Sequence, residues 1–197
     1  MGDIILGMDA KESRMNRGEE GGNQKIIPVS EIRLGLDDYD ELFSDFDPRP
    51  YLSRALSQDF LDEARRASRN KAYEGLELNL MIATNKRNGA YEPIIKKRLH
   101  DHFKKHHTML KKEVKSIFKM GAAFVILGII SMFAAAVVLF ENRGGILQSF
   151  LIIMLEPAGW FFFWEGLNQI IFESKKKSPE LEFYEKMAKC KVNFLNS

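Results

Sequence analysis

The chain has 197 residues, of which 45% are hydrophobic and 28% are charged, and its formal net charge is +2. This composition is ordinary for a single domain, and so small a net charge implies little about binding partners. The single cysteine, Cys190, excludes an internal disulfide and a cysteine-rich metal site.

The N-terminal part of the chain divides into two segments. Residues 1–24 are polar and glycine-rich and bury almost nothing, which predicts a disordered tail. This tail has neither the apolar run of a signal peptide nor the serine or threonine that a myristoylated N-terminus requires. Residues 25–119 are predicted to form an α+β segment that ends in a long basic helix.

A helix and a strand are predicted before that basic helix. Residues 57–69 have Ser57 at the N-cap position, acids in the first turn and arginines in the last, which indicates a helix. Residues 75–83 alternate apolar and polar side chains, and this period of two predicts a strand with one buried face. Such a strand needs a partner, which either residues 26–36 or residues 190–195 could supply.

One uninterrupted helix is predicted from Pro93, which suits the first helical position, to the end of the first apolar segment. Apolar side chains recur along one face at spacings of 4, 4, 7, 4 and 3 residues. They are Ile95, Leu99, Phe103, Leu110, Val114 and Ile117. No breaker follows this stripe, so the helix is basic in its first half and apolar in its second.

Two apolar segments, residues 120–140 and 146–170, are each long enough to cross a hydrocarbon layer about 30 Å thick. The link between them, residues 141–145, is short and contains two glycines, so it leaves room only for an antiparallel turn. Residues 120–172 are therefore predicted to form a two-helix antiparallel transmembrane hairpin.

Basic residues flank both spans on the same side. They are concentrated in residues 96–119 and 175–177, whereas the link contains only Arg143. By the positive-inside rule both termini are cytoplasmic and the protein lies in the cell (inner) membrane. Residues 173–197 are predicted to add a cytoplasmic helix, with a Ser-Pro-Glu start at residue 178, and a short strand. The predicted fold class is α+β, a transmembrane hairpin carrying a small cytoplasmic α+β domain.

Small residues recur seven positions apart in both spans, as Gly121 and Gly128 in the first and as Gly159 and Gly166 in the second. In an antiparallel hairpin, residues with the same index sum lie at the same depth, which pairs Gly121 with Gly166 and Gly128 with Gly159. Helices in lipid are held together by close approach through such residues. The spacing predicts a glycine seam between the spans.

The same register places Glu156 level with Ser131, halfway across the membrane. A carboxylate there costs roughly 2.5–3.5 kcal/mol on insertion scales, so it should face protein. Pro157 leaves the carbonyl of Ile153 without its helical donor. We predict a buried Ser131–Glu156 hydrogen bond that braces this kink. The alternative is that Glu156 handles an ion or a proton, which requires several copies because two spans enclose no pore.

The basic helix contains two groups of candidate ligands. His102 and His106 are four residues apart and could chelate a metal, but without a nearby cysteine and among many lysines a solvated basic face is favoured. No metal or other cofactor is therefore predicted. Six lysines indicate a patch attracted to anionic lipid headgroups. They are Lys104, Lys105, Lys111, Lys112, Lys115 and Lys119. Nucleic acid is not an expected partner, because no base-stacking aromatic motif accompanies these charges.

The sequence contains no glycine-rich phosphate loop, no nucleophile elbow and no recognisable catalytic pair of carboxylates. Asp45 and Asp47 are the nearest candidates, but acids beside prolines are usually turn and cap residues. No catalytic or cofactor-binding residue is predicted, and an enzyme is not expected.

Two motifs, Asp-Pro-x-Pro at residues 47–50 and Gly-Trp-x-x-x-Trp at residues 159–164, together resemble an uncharacterised family of small bacterial two-span membrane proteins. The residues that carry the likeness are Asp47, Pro48, Pro50, Arg54, Leu56, Gly159, Trp160 and Trp164. The resemblance covers roughly residues 30–195 and implies the layout described above and a membrane location, without an activity. Where the family has an arginine and a proline after the second tryptophan, this chain has Glu165 and Gly166.

Two functions of different classes follow from these features. The first is a non-enzymatic, membrane-anchored scaffold or accessory protein, whose cytoplasmic domain binds an unknown protein partner or a second copy of itself. The second is a homo-oligomeric ion or proton pathway that uses Glu156. A membrane-bound enzyme would need a buried cluster of polar side chains in the cytoplasmic domain.

Overall fold

The computed structural model describes residues 30–72, 74–141 and 144–197, so the predicted tail lies outside the described residues. The described chain is α+β and mostly helical. Its regular elements are β1 (Ser30–Leu36), α1 (Gln58–Ser68), β2 (Leu76–Ile82), α2 (Glu92–Phe140), α3 (Ile146–Asn168), α4 (Ser174–Lys189) and β3 (Lys191–Asn196). A π-helical turn at Gln169–Glu173 joins α3 to α4, and 3-10 turns occur at Tyr39–Leu42 and Thr84–Lys86. The strand at 75–83, the helix at 57–69 and the 49-residue helix α2 are confirmed.

The three strands form one sheet in the order β1–β2–β3, and both pairs are parallel. Leu78 of β2 lies opposite Ile32 of β1 on one side and Val192 of β3 on the other. Both segments that could have paired with β2 therefore do so, one at each hydrogen-bonding edge. Parallel pairs need long crossover connections, which α1 provides on one side and the three longer helices on the other.

The period-two pattern of β2 gives one fully buried face, as expected, whereas Glu77 and Met81 on the other face are partly exposed. Leu78 and Leu80 have no exposed surface, and Asn79, which points to the opposite face, is also buried. The amide oxygen of Asn79 accepts a hydrogen bond from Nδ2 of Asn193 at 3.0 Å. Apart from this paired amide, the second face of β2 keeps the partial exposure that the alternating pattern predicted.

The sheet and the helices around it form a body with one hydrophobic core, which we call the α+β body (described residues of 30–119 and 174–197). The apolar stripe of α2 faces this core, where Ile95, Leu99 and Phe103 have no exposed surface. The ring of Phe103 lies edge-on to Phe183 of α4, with 6.1 Å between the ring centroids. The predicted stripe therefore docks the basic half of α2 onto the body.

The helical path from Ile146 to Lys189 is continuous, so the helix start predicted at residue 178 is wrong. Glu173, the residue before α4, has helical backbone angles, and Pro179 lies inside α4 rather than at its beginning. A proline interrupts one backbone hydrogen bond without ending a helix that is held in place by tertiary packing. Tyr184 and Met187 supply that packing, because both are buried in the core.

Candidate functional site

The two longest helices carry their large apolar side chains on the outside. Their most apolar 18-residue windows have mean hydropathies of 2.8 and 1.6 and are long enough to cross a membrane, yet only 11% and 6% of these windows are buried. A core helix of a soluble domain would be mostly buried. The exposed side chains include Ile126, Ile130, Phe133, Leu139, Phe150, Ile153, Trp160 and Trp164. We call residues 120–140 of α2 together with α3 the helix pair.

The four glycines of the predicted seam lie between the two helices of this pair. A Cβ atom added to Gly128 would lie 2.6 Å from the backbone nitrogen of Phe163 and 2.8 Å from the carbonyl oxygen of Gly159. One added to Gly166 would lie 2.5 Å from the carbonyl oxygen of Gly121. The structure thus brings together the two glycine pairs that share an index sum. The helices approach so closely that any side chain at these positions would meet backbone atoms.

Ser131 and Glu156 are not joined by a hydrogen bond in the described chain, where neither side chain has a hydrogen bond or an ion pair. Ser131 is half-buried, whereas Glu156 is exposed on the outer face of α3. Glu156 precedes the buried Gly159 by three residues, which turns its side chain about 60° away from the contact line.

Gln148 closes the turn between the two helices. Its Nε2 donates to the carbonyl oxygen of Val138 at 2.6 Å, and its Oε1 accepts from the backbone N–H of Gly144 at 2.8 Å. Gly144 has a φ of 60°, which glycine adopts without strain. Gln148 was not predicted from the sequence. The available signal was a polar side chain one turn inside an otherwise apolar helix.

The six predicted headgroup-binding lysines of α2 are all exposed, and none forms an ion pair with another described residue. At 3.6 residues per turn they fall within a sector of roughly 120°, opposite the apolar stripe that docks on the body. Lys115 and Lys119 lie next to the apolar half of α2. Lys104 is about 22 Å further along the helix axis from Lys119, at 1.5 Å per residue.

The two candidate metal ligands, His102 and His106, are stacked with 4.3 Å between their ring centroids, and His106 also stacks on Tyr184 at 5.1 Å. No group of three or more potential metal ligands occurs in the described chain. Burial, together with neighbouring cationic groups such as Lys105, lowers the pKa of His102 to about 4. Burial also lowers the pKa of His106. The histidines are therefore packed against α4, and the solvated face that we expected consists of the lysines.

The Asp-Pro-x-Pro segment is a hydrogen-bonded loop. The carboxylate of Asp47 accepts from the guanidinium of Arg49 at 2.8 and 2.7 Å and from the backbone N–H of Ala55 at 2.6 Å. The hydrogen bonds from Arg49 and then Ala55 hold the pKa of Asp47 well below its usual range. Arg54 pairs with Asp40 at 2.7 Å. These motif residues thus hold the loop together, as turn and cap residues do.

The described chain therefore presents one continuous arrangement, in which a helix pair with an apolar exterior and a glycine contact is joined through α2 and α4 to the α+β body. We found no match for the chain among protein-family models, curated proteins or solved structures.

Proposed function

We propose that this chain is a non-enzymatic, membrane-anchored scaffold or accessory protein whose helix pair is an antiparallel transmembrane hairpin. The observation that supports this proposal is the distribution of side-chain size: glycines lie at the contact and large apolar side chains lie outside. A soluble monomer rarely exposes so large an apolar surface. Exposing these apolar side chains to lipid instead of water carries no free-energy penalty. Small residues at the contact let the two helices approach closely and pack.

The proposed topology has both termini and the α+β body in the cytoplasm of a cell (inner) membrane. It rests on the basic residues that flank the spans at 96–119 and 175–177 and on the link, which contains a single one, Arg143. The family resemblance implies the same layout. In this topology Lys115 and Lys119 lie close enough to bind anionic headgroups, whereas Lys104 and Lys105 extend into the cytoplasm and remain available to a protein partner.

Cysteine labelling tests the topology. The native Cys190 is buried, so the wild-type chain should react little with a membrane-impermeant maleimide. We expect Gly145→Cys in the turn to be labelled on intact cells, because a Cβ atom there meets nothing within 4 Å. The exposed control Lys97→Cys should be labelled only after the membrane is permeabilised. Release of the protein by alkaline carbonate, or equal labelling of both variants on intact cells, would contradict the hairpin.

The scaffold role is tested by isolating the protein in a mild detergent and measuring the mass of the complex. We expect the chain to co-elute with a stoichiometric protein partner or with further copies of itself. A monomer that carries no other protein under these conditions would argue against a scaffold.

A second candidate, a homo-oligomeric ion or proton pathway, is favoured by the position of Glu156. This carboxylate is exposed on the outer face of α3, level with the middle of the span, and such a group is costly unless protein or water covers it. Further copies of the chain would provide that cover. We expect Glu156→Gln to abolish proton flux into reconstituted vesicles and to weaken the oligomer. An unaltered flux in this variant would rule the pathway out.

A further inference from the structure

A cavity of about 380 Å³ opens between α1 and α4. Its volume lies within the range of small-molecule sites, roughly 300–1,000 Å³. Four cationic side chains line it, namely Arg65 from α1, Arg69 directly after α1, and Lys176 and Lys186 from α4. Two elements that are distant in sequence thus direct their positive charges into one concave surface.

Two of these cations have unused hydrogen-bonding capacity. Nε of Arg65 is buried and has no hydrogen-bond partner, although its Nη1 reaches Asp62 at 3.3 Å. The side chain of Arg69 forms no hydrogen bond or ion pair within the described residues. Buried donors without an acceptor are rare in folded proteins. An acceptor that occupies the cavity would supply the missing partner.

The charge balance of the cavity favours an anion with more than one negative charge. Its lining contains two carboxylates, Glu180 and Glu182, against the four cations. Glu182 pairs with the buried Lys186 at 2.8 Å, and Lys176 pairs with Glu173 outside the lining. Arg69 therefore remains the lining cation without an ion pair, and Arg65, which pairs with Asp62 through Nη1, keeps its unsatisfied Nε. Arg binds phosphate oxygens through two parallel hydrogen bonds.

The cavity also lies close to the proposed membrane surface. Lys176, on its rim, follows the exposed Phe172 by four residues, which is about one helical turn or 6 Å. An exposed phenylalanine belongs on the lipid side of that boundary and a lysine on the water side. A headgroup phosphate could thus reach the cavity from the membrane, and a soluble phosphate could reach it from the cytoplasm.

We propose that this cavity is a binding site for a phosphate monoester, held by Arg65 and Arg69 with Lys176 at the rim. Arg69 and Nε of Arg65 donate to the phosphate oxygens, and Lys186 keeps Glu182 from repelling the anion. Phosphate binding does not depend on the proposed hairpin. Only the delivery of the phosphate by a lipid rests on the proposed function.

The test uses the full chain in detergent with inorganic phosphate and glycerol phosphate as soluble probes, measured by calorimetry. We expect Arg69→Gln to weaken the binding of glycerol phosphate about tenfold, the effect of losing one charge-assisted hydrogen bond of roughly 1.4 kcal/mol. The matched control is Arg66→Gln. Arg66 lies on the same helix, is exposed and pairs with Glu63, and it does not line the cavity. It loses the same charge and should bind like the wild type.

The source of the phosphate is determined by placing the protein in nanodiscs and comparing its binding of phosphatidic acid with its binding of phosphatidylcholine. If phosphatidic acid binds and Arg69→Gln weakens this binding, the ligand of the cavity is a lipid headgroup. If only the soluble probes bind, the ligand is a free phosphate ester. Absence of binding to every phosphate probe, or an equal loss in the Arg66→Gln and Arg69→Gln variants, overturns the site. A chain that binds phosphate in detergent but is extracted from membranes by carbonate would refute only the hairpin.

Discussion

The helix pair and the α+β body distribute the same kinds of side chain in opposite ways. In the body, Phe103 and Leu99 are completely buried. In the helix pair, Phe133 is 70% exposed, and the buried positions are taken by Gly121 and Gly128. A hydrophobic core is useful only where water would otherwise contact the apolar groups. This opposite distribution is what the proposed membrane location of the helix pair requires.

Helix α2 makes this comparison unusually direct, because one uninterrupted helix belongs to both regions. Its first half follows the pattern of a soluble amphipathic helix, with an apolar stripe toward the body and lysines on the opposite face. Its second half has no polar face, and glycines mark its contact side. No break in the backbone marks the change, so the transition is encoded in the side chains alone.

The largest expected effect is the difference between the same substitution, phenylalanine to alanine, made once in each region. Phe103→Ala should lower the free energy of unfolding by about 3–5 kcal/mol, because it leaves a cavity in the core. Phe133→Ala, on the exposed face of the same helix, should change it by no more than about 0.5 kcal/mol in detergent. Thermal unfolding of the two variants measures the difference. Similar losses would mean that the two halves of α2 are buried alike.

The glycine contact provides the next largest effect. Gly128→Leu should destabilise the helix pair by roughly 1–3 kcal/mol, since even a Cβ atom would meet the backbone of Phe163. Ala136→Leu, at an exposed position of the same helix, is the control and should be neutral. Crosslinking between cysteines placed on α2 and α3 would report whether the two helices move apart in the variant. Unchanged crosslinking in the Gly128→Leu variant would show that the contact is dispensable.

Removing the side chain that closes the turn should have a smaller effect. Gln148→Ala loses two hydrogen bonds to backbone groups, and we expect a loss of about 1 kcal/mol. Its exposed neighbour provides the control, Ser149→Ala, which should leave the thermal midpoint unchanged. If both variants unfold like the wild type, the turn is set by its glycines rather than by Gln148.

A further expected effect is the pH dependence of the contact between α2 and α4. The pKa of His102 is lowered from 6.5 to about 4 in the folded chain, so below pH 6.5 the unfolded state binds the proton more readily. The contribution of His102 to stability is therefore complete above pH 6.5 and is lost as the pH falls toward 4. His102→Gln should flatten this dependence between pH 7 and 5. The control variant His100→Gln, at an exposed position, should leave the pH dependence of stability unchanged. Equal flattening in both variants would show that His102 is not the source of this dependence.

The lengths and patterns of the helices followed from the sequence. The periodicity of Ile95, Leu99 and Phe103 predicted one face of a helix, and the absence of a breaker predicted that α2 continues into the apolar segment. The spacing of the four glycines also predicted which pairs come together. These features depend on neighbours along one helix, where the 3.6-residue repeat converts sequence spacing directly into geometry.

Other features needed the tertiary structure, because they depend on contacts between distant segments. The use of both strand partners by β2, the helical conformation through Pro179 and the stacking of His102 on His106 are all set by packing against other elements. The direction of Glu156 is the clearest case: its spacing from Gly159 predicted a side chain beside the helix contact, but in the folded chain this side chain is exposed and Ser131 does not reach it. The cavity between α1 and α4 likewise exists only because the fold brings Arg69 and Lys176 together across a hundred residues. Sequence determined where the charges and apolar side chains lie along each helix, and tertiary packing decided which of them meet, because only packing fixes the rotation and distance of one element relative to another.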